Sequence, residues 1–170
     1  ESNTTANYNI AVGSQALEAN TTGANNTAVG HQSLTANTTG DSSVAVGYQA
    51  LFTNTGTRNV GLGANALRSN TTGNDNNAVG TSALYDCTTG HNNNAFGRQA
   101  LRKVTTANEN TAMGHDAGKE ITTGDENVAI GNLTLDACTT GTDNTAVGSR
   151  ALGAITTNSN CTAVGYQALT

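Results

Sequence analysis

Cysteine and histidine, the residues that supply thiol nucleophiles and most transition-metal ligands, are few in this sequence. They are Cys87, Cys138, Cys161, His31, His91 and His115. A catalytic thiol needs a neighbouring base, and a zinc site needs Cys or His ligands at short spacings such as CxxC. Neither pattern occurs, so the sequence predicts no catalytic residue, no metal site and no cofactor. We expect Cys87 and Cys138 to be small buried residues, with disulfides between subunits as the alternative.

Acidic side chains recur at similar places along the chain. They are Asp41, Asp75, Glu109, Asp125, Glu126 and Asp143. Calcium-binding repeats carry a Gly-Gly-x-Gly-x-Asp pattern, and that pattern is absent here. The sequence therefore predicts a solvated acidic stripe rather than a calcium site.

The composition narrows the class of protein. Only 11% of the 170 residues are charged, and the net charge is −5 with a pI near 4.9. A nucleic-acid-binding domain needs a basic surface, so we expect no nucleic-acid partner. No apolar run approaches the ~20 residues of a membrane-spanning helix, so we expect no membrane span.

A 17-residue repeat determines where all these side chains fall. It reads roughly NTAVGxQALxxNTTGxN and is anchored on ten glycines, from Gly13 to Gly165. Each step is 17 residues except that from Gly47 to Gly63, which is 16. The chain is thus expected to be one array, 1–170, with a half-repeat at 1–8 and ten units over 9–170, the last incomplete. We expect it to be a segment of a longer fibre.

Two positions of the unit are apolar throughout and predict the core. The fourth position holds Val12, Val29, Val46, Leu62, Val79, Phe96, Met113, Ile130, Val147 and Val164. The ninth holds Leu17, Leu34, Leu51, Leu67, Leu84, Leu101, Leu135, Leu152 and Leu169, with Gly118 replacing leucine once. Both sets are predicted to point into the core.

The twelfth position changes type along the chain. It holds Asn20, Asn37, Asn54, Asn70, Cys87, Val104, Ile121, Cys138 and Ile155. A position that accepts both Asn and Ile is predicted to face inward, with the asparagines forming a hydrogen-bonded ladder. The variable positions carry the larger side chains, and Tyr48, Phe52, Tyr85 and Arg98 are the expected surface contacts.

The first four positions of each unit predict a short strand, because β-branched residues occupy the second and fourth. Positions six to twelve fit one helical turn or a bent second strand equally well. Glycine at the fifteenth position predicts a left-handed turn residue. The fold class is therefore an all-β repeat, a parallel β-solenoid or β-roll of ten coils.

The third position, alanine in nine units and Gly61 in the other, predicts a close approach of another chain. One coil buries only about three apolar groups, which is little against the entropy of ordering 17 residues. We therefore expect a homo-oligomer that packs through this small-residue face.

The unit, as in "CTAVGYQAL" at 161–169 and "SVAVGYQAL" at 43–51, resembles the 17-residue repeats of phage and large-virus tail-fibre proteins. "NVAIG" at 127–131 is similar to the core of trimeric autotransporter adhesin heads, which have a shorter repeat. The resemblance implies a non-enzymatic fibre shaft or head, a homotrimer, a host-surface receptor, and a location on a virion tail fibre or cell surface. Alternatives are an extracellular filament or surface-layer subunit, and an ice-binding solenoid using the threonines that precede each turn, from Thr21/Thr22 to Thr156/Thr157.

Overall fold

The computed structural model describes residues 5–170, so the first four residues of the predicted half-repeat lie outside the described part. Ten strands of three residues form one parallel sheet in sequence order. The strands are β1 Ile10–Val12, β2 Thr27–Val29, β3 Val44–Val46, β4 Val60–Leu62, β5 Asn77–Val79, β6 Asn94–Phe96, β7 Thr111–Met113, β8 Val128–Ile130, β9 Thr145–Val147 and β10 Thr162–Val164. The predicted all-β parallel solenoid is confirmed.

The strands stack in strict register. Each residue pairs with the same position of the next unit, as Ala28 does with Ala45. The register survives the 16-residue step, because Ala45 pairs with Gly61. The missing residue is therefore absorbed in the turn at 54–58, outside the sheet.

Between strands, each coil is built of hydrogen-bonded turns rather than a helix or a second strand. The Ala83 N–H donates to the Gly80 carbonyl, and the Cys87 N–H donates to the Leu84 carbonyl. Bonds between coils continue along the same wall, as from the Leu84 N–H to the Ala100 carbonyl at 3.0 Å. Both alternatives for positions six to twelve are replaced by two consecutive turns.

The prediction of a left-handed residue at the fifteenth position is wrong. The seventh, ninth and seventeenth positions have positive φ, including Ser82 at 57° and Leu84 at 50°. The glycines of the fifteenth position do not. There glycine is needed for space, because a Cβ on Gly73 would lie within 2.3 Å of the Gly90 carbonyl oxygen. A left-handed leucine costs about 1–2 kcal/mol, which its burial must offset.

The predicted core is corrected at the fourth position. From Ala28 to Ala163 the alanines of the third position are buried, whereas the fourth position faces outward, with Val12 57%, Met113 50% and Val164 71% exposed. Successive strand residues point to opposite faces, so only one of these positions can face inward. The third position is the inward one because it faces the leucines of the ninth position: a Cβ on Gly61 would lie 3.2 Å from Leu51 Cγ. Alanine is thus required by this chain's own leucines and not by another chain. The outward side chains are Val12, Val29, Val46, Leu62, Val79, Phe96, Met113, Ile130, Val147 and Val164.

The other two predicted rows do lie inside. Leucines of the ninth position are fully buried from Leu34 to Leu152, while Leu17 is partly buried and Leu169 is exposed. The twelfth position is buried from Asn20 to Cys138, and Ile155 packs partly against the core.

Candidate functional site

The cysteines lack the environment of a reactive thiol. Cys87 and Cys138 are buried and free, and Cys161 is half-buried and free. Burial raises the pKa of the Cys87 thiol to about 12 and also raises the pKa of Cys138. The neutral thiol is therefore favoured, and the thiolate is the nucleophilic form.

The histidines lie apart on the outer surface. His31 stacks on Tyr48 with ring centroids 5.7 Å apart. His91 Nδ1 accepts from the Asn74 N–H at 3.0 Å, and His115 Nε2 lies 2.7 Å from Arg98 Nη1. Within residues 5–170, no three His, Cys, Asp or Glu side chains cluster as metal ligands.

The acidic stripe is largely engaged within the chain. Arg58 binds Asp75 through two hydrogen bonds and holds the pKa of that carboxyl below its usual range. The Asp125 carboxylate accepts the Asn108 N–H at 2.6 Å. An open cleft of about 390 Å³ runs along this wall and is lined by His91, Asn92, Asn108, Glu109, Asp125 and Glu126.

A buried asparagine row at the first position was missed by the sequence reasoning. Eight of ten units have Asn at this position, and this recurrence could have predicted the buried row. The side chains bond to the following coil: Asn93 Nδ2 donates to the Ala107 carbonyl at 2.8 Å, and Asn93 Oδ1 accepts the Asn110 N–H at 3.1 Å. Toward the preceding coil, Asn93 Nδ2 also donates to Asn76 Oδ1 at 3.1 Å. The row fixes the spacing of neighbouring coils from inside.

This row also explains why the predicted ladder at the twelfth position changes type. The Gly73 carbonyl accepts from both Asn59 and Asn70, of the first and twelfth positions. Where the twelfth position is Val104, the Ala107 carbonyl still accepts a hydrogen bond from Asn93 Nδ2. A buried carbonyl needs one partner, so the twelfth-position asparagine is dispensable and the first-position asparagine is not.

The outward strand face runs the length of the sheet. It consists of the second and fourth positions of all ten strands, mostly Val, Ile and Thr. No charged residue occurs at either position in any unit. At ~10 Å per three-residue strand and ~4.8 Å per coil, the face measures roughly 450 Å². Thr or Asn occupies six of the ten second positions, so the face is uncharged rather than purely apolar, and surface patches of a few hundred Å² are often interaction sites.

The four predicted surface contacts fall on two walls. Tyr48 and Arg98 occupy the sixth position, beside the strand face. Phe52 and Tyr85 occupy the tenth position, where Arg68 lies over both rings at 5.3 and 5.7 Å from their centroids. Arg68 and this stacking were not expected from the sequence, because they depend on which positions stack vertically.

Comparison with protein-family models, with curated proteins and with solved structures finds no match to this chain. Within residues 5–170, no helix is long and apolar enough to cross a membrane.

Proposed function

We propose that this chain is a non-enzymatic structural segment, shaft or head, of a viral tail fibre or surface adhesin. It assembles with copies of itself and presents surfaces for attachment to a host or other surface. The observation that carries the proposal is the outward strand face, which is uncharged along ten coils. The sequence resemblance supports the fibre and favours three copies.

Rigidity along the stack supports a shaft. Backbone hydrogen bonds join consecutive coils on several walls, for example at Leu84, Asp86 and Thr88 within one coil. Buried first-position asparagines add side-chain bonds along the same axis. A rod of this kind separates attachment sites from the body that carries them, and several copies raise avidity.

The contact between copies is assigned to the strand face and not to the alanines. The third-position alanines from Ala28 to Ala163 are buried within the chain and unavailable. Partly exposed Val, Phe, Met and Ile side chains take their place, including Phe96 at 40%. Because roughly 450 Å² is below the ~800 Å² per partner of standard interfaces, the contact extends to flanking residues such as Tyr48.

Sedimentation at micromolar concentration tests this proposal. The wild type is expected to exceed the 17.1 kDa monomer mass. Val79→Lys with Met113→Lys places two charges on the strand face and is expected to give monomers. Thr89→Lys with Thr123→Lys adds the same charge on exposed turns and is expected to leave assembly unchanged. A wild type that stays a folded monomer refutes the proposal.

Two alternative functions, ice binding and a filament or surface-layer role, can each be distinguished from the proposed one by a single measurement. For the ice-binding alternative, the hydroxyls of Thr88 and Thr122 donate to the carbonyls of Thr105 and Thr139 in the next coil, which leaves fewer donors for ordered water. We expect no thermal hysteresis at millimolar protein. Electron microscopy showing extended filaments instead of discrete short fibres would favour the filament or surface-layer alternative.

A further inference from the structure

One wall of the solenoid carries alternating aromatic rings and guanidinium groups. Tenth positions of four consecutive units stack Phe52, Arg68, Tyr85 and Arg102, which we call the cation–aromatic ladder. Arg68 Cζ lies 5.3 Å from the Phe52 ring centroid and 5.7 Å from that of Tyr85. Arg102 Cζ lies 5.7 Å from the Tyr85 centroid. The ladder therefore spans four coils without a break.

Stacking leaves hydrogen-bond donors directed away from the wall. The ring faces are covered by guanidinium groups, so the ring edges, which are electropositive, are what the row exposes. Each guanidinium has five N–H donors. Arg68 donates one of them, from Nε, to Gln49 Oε1 at 2.9 Å. All four side chains are half-buried, which restricts their rotamers before any ligand binds. Such a surface attracts oxygen anions.

The two ladder arginines keep their charge unpaired. Among the described residues, neither Arg68 nor Arg102 takes part in an ion pair. The neighbouring cations are different: Lys103 Nζ lies 2.5 Å from Glu120 Oε2, and Lys119 Nζ lies 3.7 Å from Asp116 Oδ2. Anion binding on this wall therefore falls to the arginines of the ladder.

We propose that the cation–aromatic ladder binds a linear acidic polysaccharide, whose carboxylates or sulfates pair with Arg68 and Arg102. These arginines lie two coils apart, about 9.6 Å, because coils stack at ~4.8 Å. A glycan in which an acidic sugar alternates with a neutral one repeats its charge at such wide intervals. Nucleic acid is a poorer fit, since its phosphates are closely spaced and the chain has a net charge of −5.

This inference deepens the attachment role and rests on the proposed function for its setting only. Binding requires the ladder, which lies within one chain, and does not require assembly. The same sample can therefore be monomeric by sedimentation, which would refute the fibre proposal, and still bind the glycan.

Titration calorimetry with hyaluronan oligosaccharides and with chondroitin sulfate, at low salt, tests the ladder. Arg68→Gln with Arg102→Gln is expected to weaken binding about tenfold, because two exposed charge pairs are lost. The matched control Arg58→Gln with Arg150→Gln removes the same net charge at exposed positions elsewhere and is expected to change affinity less than about twofold. Arg68→Lys with Arg102→Lys keeps the charge but loses planar pairing, and most of the loss is expected to remain. Circular dichroism checks that each variant is folded.

Three results would overturn the ladder site. The first is no binding of either glycan to the wild type at low salt. The second is an equal loss of affinity in the ladder and control pairs, which indicates a net-charge effect. The third is equal or tighter binding of single-stranded DNA, which indicates a general polyanion surface.

Discussion

Replacing Asn93 by alanine tests the idea that buried first-position asparagines hold the coils together. Asn93 is fully buried and donates through Nδ2 to the Ala107 carbonyl at 2.8 Å. Its Oδ1 accepts the Asn110 N–H at 3.1 Å. Alanine leaves both backbone groups buried without a partner. At about 1–3 kcal/mol per unsatisfied group, the free energy of unfolding should fall by about 2–5 kcal/mol.

Two matched variants separate this effect from the loss of any asparagine. In Asn59→Ala the Gly73 carbonyl keeps its bond from Asn70 Nδ2 at 2.9 Å, so only the Asn76 N–H is orphaned. The expected loss is about 1–3 kcal/mol. Asn94→Ala changes the adjacent residue, which points outward and accepts one bond from Asn77. A loss of less than about 1 kcal/mol is expected there.

Urea unfolding followed by circular dichroism and by tyrosine fluorescence measures these differences. Coincident transitions at one fixed protein concentration justify a two-state fit, which stacked repeats do not always obey. The expected order of destabilisation is Asn93→Ala, then Asn59→Ala, then Asn94→Ala. Equal losses for Asn93→Ala and Asn94→Ala would refute the account of the buried row.

Three further predictions concern single positions. Gly80→Ala should cost more than about 3 kcal/mol or prevent folding, because Gly80 has φ of 133° and a Cβ there would lie 2.5 Å from the Gly97 oxygen. Gly61→Ala, where the other units have alanine, should change thermal stability by less than about 1 kcal/mol in either direction; a loss comparable with that of Gly80→Ala would contradict this. Cys87→Val should flatten the alkaline limb of the stability profile: burial raises the pKa of the folded thiol to about 12 from an ordinary 9.0, so its contribution is intact below pH 9 and is lost as pH rises toward 12. Urea midpoints of both proteins between pH 8 and pH 11 check this, and parallel profiles would contradict it.

The sequence was sufficient to predict the fold class because each coil has the same residue types at the same positions. The glycine anchors identify the equivalent positions of the coils, and the strands pair in that register even across the one 16-residue step. Leucines such as Leu84 were correctly predicted to be buried. The sequence was insufficient to predict which face of the strand is buried, because an alternation of small and large apolar residues is compatible with either face being inside. The cation–aromatic ladder was likewise hidden, since Phe52, Arg68 and Tyr85 become neighbours only when their coils stack.

What the sequence alone determined is a parallel stack of equivalent strands, because a 17-residue period with a glycine at the same position of all ten units requires the same local structure to recur. Only the tertiary structure decided what fills the inside. Leu51 and its counterparts occupy the space above the third position, so alanine lies inside and valine is turned outward. That choice leaves the uncharged strand face available to other copies of the chain. The physical reason is volume: the ninth-position leucine already fills the space facing the third position, so no side chain larger than alanine fits there.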